Sequence, residues 1–210
     1  MLFDFDKLDG QEKYKLLCAT VVPRPIAWVV TQNLDGSLNC APFSFFNAFA
    51  GDPPTVCIGV GGREGIPKDT ATNIHHTGEF VVNLVCEAMV QQMNVTAIDF
   101  ESSIDELAQA GLTTVPSTKV KPPRIAGSPV ALECKRFVTL EIGVGRAIVV
   151  GHVVAIHVAD DAVQNAAQCY IDTPKLGLLG RMHGAGWYCR TADQFQLPRI
   201  NENDWWAQKR

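Results

Sequence analysis

Apolar and polar residues alternate over much of this chain with the two-residue period of β-strands. Six segments show this alternation or a short β-branched apolar run, with turn residues between them. These are residues 26–31, 37–47, 55–59, 79–85, 129–140 and 145–159. Asp35-Gly36 separates the first two segments as a tight turn, because glycine accepts a positive φ without steric cost. The pattern therefore predicts a strand-rich fold.

Shorter stretches have the spacing of helices, with apolar residues every three or four positions. Helices are predicted within residues 10–19, 69–78, 87–98 and 103–111. Asp69 or Thr70 is a suitable N-cap for the second of them, and Gly78 ends it. Ser103 and Glu106 have the spacing of a capping box for the last. These helices are few and short compared with the strands.

The combination predicts a mainly β fold with helical decoration, namely a small closed β-barrel. Gly151 lies inside the last strand segment, where it predicts a bulge or the sharp bend of a barrel corner. Residues 119–129 are rich in proline and basic residues, but the β pattern resumes after them, so we expect residues 1–210 to form a single domain. Trp205 and Trp206 are expected to pack on the barrel or on a second copy of the chain.

Composition excludes several classes of function. The 210 residues are 47% hydrophobic and 19% charged, which allows a sizeable core. The formal net charge of −4 gives no broad basic surface for nucleic acid. No apolar stretch reaches the roughly 20 residues needed to cross a bilayer, and the first residues lack the pattern of an export signal. We expect a soluble, cytoplasmic protein that binds neither nucleic acid nor membrane.

The cysteines and histidines are predicted to have structural roles and not catalytic or metal-binding ones. The seven cysteines lie mostly in apolar runs without C-x-x-C spacing and are predicted to be reduced core residues. His75 and His76 are neighbours that diverge on a helix, while His152 and His157 are predicted to face opposite sides of a strand. No metal-ligand spacing and no G-x-S-x-G motif is present. We therefore predict neither a metal site nor nucleophilic hydrolysis.

Residues 61–70 are a candidate phosphate site. A phosphate monoester needs fixed N–H groups, hydroxyl donors and cations, and a loop that enters a helix N-terminus presents all three. Arg63 could bind bidentately, Lys68 could add charge, and Thr70 could donate from side chain and backbone. The same pattern fits an ordinary polar turn before a capped helix. It matches neither the Walker loop nor G-x-G-x-x-G.

Residues 39–47 are a candidate site for a flat ring. Phe43, Phe45 and Phe46 cannot all face one side of a strand, so at least one of them points away from the core or lines a pocket. Small residues such as Ala41 and Ser44 would let a ring approach the backbone closely. A core strand with a bulge is the alternative interpretation.

Two stretches carry a family resemblance: PRPIAWVVTQNLDGSLNCAPFSFFNAFAGDPPTVCIGV and KDTATNIHHTGEFVVNL. In order and spacing, the segment from about residue 22 to 85 resembles the flavin reductase-like, FMN-binding split-barrel family, which includes flavoredoxins and NAD(P)H:flavin oxidoreductases. The resemblance implies a split β-barrel and a homodimer with FMN at its interface. The residues from about 189 onward have no clear counterpart in the family and are predicted to be a C-terminal extension. By the same resemblance, residues 39–47 lie along the isoalloxazine ring and residues 63–70 meet the phosphate.

The resulting hypothesis is an NAD(P)H:flavin oxidoreductase that uses NADH or NADPH and passes electrons to a small molecule or a protein. Flavin N5 would carry the chemistry, so no catalytic acid or base is named. The predicted cofactor-binding residues are Asn39, Ala41, Ser44, Phe45, Phe46, Arg63, Lys68, Asp69 and Thr70. Two alternatives stay open: a flavoredoxin-type electron carrier without NAD(P)H activity, and a flavin-independent interaction protein on the same barrel.

Overall fold

Strands dominate the structure, as the alternating pattern predicts. The computed structural model describes residues 1–63, 65–207 and 209. In chain order the strands are β1 (Arg24–Pro25), β2 (Ala27–Gln32), β3 (Leu38–Phe43), β4 (Phe46–Gly51), β5 (Pro54–Val60), β6 (Gly62–Arg63), β7 (Ile66–Pro67), β8 (Glu79–Leu84), β9 (Thr114–Val115), β10 (Arg124–Ile125), β11 (Val130–Gly143), β12 (Arg146–Val158), β13 (Val163–Asn165), β14 (Tyr170–Ile171), β15 (Leu179–Arg181) and β16 (Tyr188–Arg190).

Helices are short, and two of those described lie before the first strand and after the last. The α-helices are α1 (Gly10–Thr20), α2 (Asp69–Thr77), α3 (Val90–Val95), α4 (Glu106–Gln109) and α5 (Glu202–Ala207). Single 3₁₀ turns occupy Phe5–Lys7, Glu87–Met89, Asp160–Ala162, Ala166–Gln168 and Thr173–Leu176. Asp9 and Glu12 form a capping box at the start of α1, each side chain accepting from the other residue's amide.

The main sheet of the described chain has seven antiparallel strands in the order β3-β2-β8-β11-β12-β5-β4. Its edge strands, β3 and β4, are consecutive in the sequence, and only Ser44 and Phe45 connect them. Because so short a link reaches only about 10 Å, the sheet must curl until its edges meet. The Phe45 carbonyl also accepts from the Gly59 amide at 2.6 Å. The expected split β-barrel with helical decoration is confirmed.

Strand β2 is buried on both faces, which explains its continuous apolar sequence. Ala27 and Val29 point into the barrel, where they join a cluster that includes Ile74 of α2. Trp28 and Val30 point the other way, into a second cluster beside α3 and α4. Because α2 contributes to the barrel core, packing fixes the position of its first turn relative to the sheet.

Two helix starts differ from the sequence prediction. Lys68 is the N-cap of α2 and makes no side-chain capping bond, so the expected cap at Asp69 or Thr70 is wrong by one or two residues. Gly78 does end this helix, in the left-handed region at φ 70°. The expected capping box of Ser103 and Glu106 is also wrong. The cap is Asp105, whose carboxylate accepts from two amides of the first turn of α4, and this releases Glu106 for another contact.

Other element predictions were too long or too simple. The expected strand over residues 37–47 is interrupted at the link between β3 and β4, and the expected helix over residues 87–98 is a 3₁₀ turn followed by α3.

Gly151 stays in register with β11 and β5. A Cβ there would lie 2.4 Å from Cζ of Phe80, so glycine is required because the ring packs against the backbone. The neighbouring bulge is at Phe137 on β11.

Some exposed residues contradict the expected burial. Cys169 is exposed, so its assignment as a core cysteine is wrong, while Cys18, Cys40, Cys86 and Cys134 are free and buried as expected. Trp205 and Trp206 are 45% and 55% exposed in α5, so the barrel does not bury them, and their packing on a second copy of the chain stays a prediction. Phe49 is likewise 68% exposed, because the edge strand β4 is uncovered over most of its length.

A buried carboxylate connects the loop before β10 to the barrel. Glu133 of β11 has no exposed surface, and its oxygens accept from the Thr118 and Lys119 amides at 2.7 and 2.5 Å. His157 of β12 bonds the same carboxylate through Nε2 at 2.6 Å. Burial alone would raise the pKa of Glu133, but the hydrogen bonds from Thr118, His157 and Lys119 outweigh it, so the pKa is lowered.

Glu133→Gln should lower the free energy of unfolding by about 1–3 kcal/mol near neutral pH, because glutamine leaves at least one buried donor without an acceptor. Since the folded pKa lies below the unfolded value of about 4.3, the carboxylate stabilises above that pH. Its contribution is lost as the pH falls through the folded pKa. Urea unfolding at neutral and acidic pH measures both effects.

The control is Glu141→Gln, which changes an exposed glutamate of the same strand. We expect this variant to unfold like the wild type at both pH values. Equal stability of Glu133→Gln and the wild type at neutral pH would contradict the assigned role of Glu133.

Candidate functional site

The link between β3 and β4 places two side chains at the barrel surface. The Phe45 ring is 44% exposed and lies 6.0 Å from the Tyr14 ring of α1. Ser44 accepts from Nε of Arg24 at 3.4 Å. The sequence requirement that one aromatic of residues 39–47 leaves the core is confirmed, and Phe45 is that residue. The Ser44 and Phe45 amides lie outside the strand ladders.

The start of α2 faces β3. Asn39 donates through Nδ2 to Oγ1 of Thr70 at 3.0 Å, and both residues are buried. The first amides of a helix have no intrahelical carbonyl to bond, so the amides at Asp69 and Thr70 are available to an acceptor. Lys68 precedes them and forms an ion pair with Asp99 at 3.1 Å. Cation, amides and hydroxyl thus lie within three consecutive residues.

Two cavities flank this region and share Pro42 and Lys68. The smaller cavity, about 290 Å³, lies between β3, the start of α2 and the segment after α3. The larger cavity, about 650 Å³, lies between α1, the β3–β4 link, the end of β5 and the β11–β12 hairpin. Lining residues of the larger cavity include Tyr14, Ser44, Phe45, Gly61, Ile142 and Arg146. The shared residues make the two cavities neighbours.

The two cavities differ in charge. Carboxylates of Asp69, Asp99 and Glu106 line the smaller one beside Lys68. Glu106 accepts from the Cys40 amide at 3.0 Å. Burial raises the pKa of Glu106 despite this hydrogen bond. In the larger cavity, the charged groups among the described lining residues are Lys68 and Arg146, with no carboxylate. Lys68, which lines both cavities, is therefore the cation that the two share.

Most of the predicted site residues come together here. Asn39, Ala41, Lys68, Asp69 and Thr70 line the smaller cavity, and Ser44, Phe45 and again Lys68 line the larger one. Phe46 packs against the barrel core and lines neither cavity. The side chain of Arg63 lies outside the described residues. Their function as cofactor-binding residues stays a prediction.

Four residues of the site were not identified from the sequence. Tyr14 and Arg146 reach it from a helix and a hairpin far apart in the chain. Arg24 approaches it from β1, and its position between two prolines in an apolar stretch was the available signal. Glu106 was interpreted as a capping residue, so its carboxylate in the cavity went unrecognised.

Comparison with known proteins identifies the family. A family model described as a flavin reductase like domain matches residues 19–176. This chain belongs to the flavin reductase-like family. An uncharacterized protein of Deinococcus radiodurans is 43% identical over 211 residues, which cover 98% of this chain and 92% of the relative.

Two solved structures of this flavin reductase-like fold are similar over nearly their whole length. The 2-nitrobenzoate 2-nitroreductase NbaA of Pseudomonas fluorescens is 33% identical with a TM-score of 0.88, covering 96% of this chain and 98% of that one. Nitrilotriacetate monooxygenase component B from Bacillus cereus is 29% identical with a TM-score of 0.89, covering 94% and 98%. Family and structures together support an oxidoreductase.

Two further observations concern sites of other kinds. Among the described residues, no group of three or more His, Cys, Asp and Glu side chains is arranged to hold a metal ion. Within the same part of the chain, no helix is both long and apolar enough to cross a bilayer.

Proposed function

We propose that this flavin reductase-like protein binds FMN and reduces it with NADH or NADPH. The observation that carries the proposal is the meeting of the two cavities at Pro42 and Lys68. Residues suited to a phosphate lie on one side, and residues suited to a flat ring lie on the other. When bound, FMN would supply the chemistry, accepting a hydride and passing the electrons to a small molecule or a protein.

The phosphate end of the proposal rests on Lys68 and the first turn of α2. This helix has nine residues, so its N-terminus offers amides and a favourable dipole to an anion. Thr70 and Asn39 hold each other in place, and both residues line the smaller cavity.

The ring end rests on the β3–β4 link. Phe45 and Tyr14 offer aromatic faces at the larger cavity. The amides of Ser44 and Phe45 lie outside the strand ladders, so they could donate to negative charge on a reduced ring. Orientation and hydrogen bonding are thus the contribution of this chain, and no side chain need act as an acid or base.

We also propose that two copies pair through the β11–β12 hairpin. Val138, Leu140 and Ile142 alternate along one face of β11 and are all exposed. Val150 and Ile148 stand opposite the first two on β12, so the face is apolar on both strands. Apolar patches of this kind usually mark interaction sites. Because Ile142 also lines the larger cavity, a second copy here would border the ring.

Lys68→Ala should weaken FMN binding by about 1.5–3 kcal/mol, the range for a hydrogen bond to a charged group. Riboflavin lacks the phosphate, so its affinity should change little. Thr70→Val should also weaken the binding of FMN more than that of riboflavin, by a smaller amount than Lys68→Ala does. Fluorescence titration of both flavins measures this, with Lys7→Ala as a control at an exposed lysine. Equal losses for FMN and riboflavin would remove Lys68 from the phosphate site.

Mixing the FMN-loaded protein with NADH or NADPH without oxygen should bleach the flavin absorbance, because the donor transfers a hydride to it. If neither donor bleaches the flavin while a reduced partner flavoprotein does, the electron-carrier alternative replaces the proposal. If FMN neither binds nor raises the melting temperature, the interaction-protein alternative is favoured.

Leu140→Asp should convert a dimer into a monomer, because a carboxylate cannot be buried unpaired in an apolar interface. Light scattering during gel filtration measures the mass. Leu34→Asp is the matched control, since this leucine is also exposed but lies at the β2–β3 turn. A monomeric wild type, or a dimer that Leu140→Asp leaves intact, would exclude this interface.

A further inference from the structure

Arg24 is a buried cation that has no carboxylate partner in the described chain. Only 6% of the surface of Arg24 is exposed. Nη1 donates to the carbonyls of Cys18 and Val21 at 2.8 and 2.7 Å, and Nη2 donates to the carbonyl of Met182 at 2.9 Å. Burying a charge is costly unless other groups compensate it. Here carbonyl dipoles at the end of α1 give only partial compensation.

A second arginine adds to this positive charge. β1 and β15 pair in a register that sets Arg24 directly opposite Arg181, an arrangement that like charges normally destabilise. Arg181 donates to the carbonyls of Gly184 and Trp187 at 3.0 and 3.4 Å. No carboxylate of the described chain forms an ion pair with it either. In a protein of net charge −4, this local excess of positive charge favours an anion nearby.

The positive charge lies beside the larger cavity. The Arg24 guanidinium carbon is 6.0 Å from the centre of the Phe45 ring, and its Nε donates to Ser44. The charges of both arginines act on Tyr14 in the cavity wall. A hydrogen bond with Cys18 and burial raise the pKa of Tyr14, while the charges of Arg181 and Arg24 act in the opposite direction. The field of Arg24 therefore extends to the side chains that line the proposed ring site.

We propose that Arg24 is a positioning residue with two effects on bound FMN. Its hydrogen bonds hold the β3–β4 link against α1 and the loop after β15, and its charge, which the carbonyl dipoles balance only in part, makes the site bind reduced FMN more tightly than oxidised FMN. The reason is that accepting a hydride adds one unit of negative charge to the ring. The inference rests on the proposed function and assigns Arg24 a role in setting the reduction potential.

Three variants separate charge from geometry. Arg24→Gln removes the charge, Arg24→Lys keeps it but cannot reach several acceptors at once, and Arg190→Gln removes an exposed arginine whose charge Glu87 already balances. The midpoint potential of bound FMN and the affinity for oxidised FMN are measured for each.

Arg24→Gln should weaken the binding of reduced FMN about tenfold more than that of oxidised FMN, which lowers the two-electron potential by about 30 mV. Arg24→Lys should weaken both forms but keep the wild-type potential. Arg190→Gln should leave affinity and potential unchanged. Equal weakening of both redox forms in Arg24→Gln, with no change in potential, would reduce Arg24 to a structural role and overturn the inference.

Two further outcomes are distinguishable. If the wild type binds no FMN, the proposed function fails before Arg24 is tested. If Arg24→Gln does not fold, as thermal melting would reveal, Arg181→Gln carries the same charge test from the more exposed partner. It should lower the potential in the same direction by a smaller amount. An unchanged potential in Arg181→Gln would then overturn the charge effect.

Discussion

The two-residue link between β3 and β4 is the constraint on which the rest of the structure depends. It joins the two edges of a seven-stranded sheet, so the sheet must curl into a barrel. The same link turns Phe45 out of the core and brings Ser44 to Arg24. Closing the barrel and forming the wall of the larger cavity are therefore one structural event, and a change in the link would affect both.

Local patterns were sufficient for a strand-rich barrel, the family resemblance added the split form of that barrel, and neither gave the details of the site. Alternation predicted the strands because one or both faces of each are buried, and β2 with its two buried faces is the clearest example. Boundaries failed where a neighbouring residue was the better cap, as with Asp105 before α4. Gly151 was noticed for its conformational freedom, whereas the ring of Phe80 is what requires it. Such a tertiary contact leaves no trace in the local sequence.

The candidate site divides in the same way. Asn39 came from the pattern of residues 39–47, and Lys68 and Thr70 came from that of residues 61–70; the structure brings the two segments together. Tyr14, Arg24 and Arg146 could not be found so, because folding alone brings their separate segments to one cavity. The difference in charge between the two cavities could not be predicted from the sequence either. It depends on which carboxylates face inward, and Glu106 does so only because Asp105 takes the capping role.

The β11–β12 hairpin gives the site a property beyond geometry. Ile142 and Arg146 belong both to this hairpin and to the wall of the larger cavity. In the proposed dimer, a second copy at the hairpin would share these two residues with a ligand in the cavity, and any change it made in the ligand's binding energy would be matched by an equal change in the energy of the hairpin contact. Ligand affinity in such a protein would depend on how concentrated the protein is. Dilution would separate the copies and so weaken ligand binding, and a saturating ligand would stabilise the dimer.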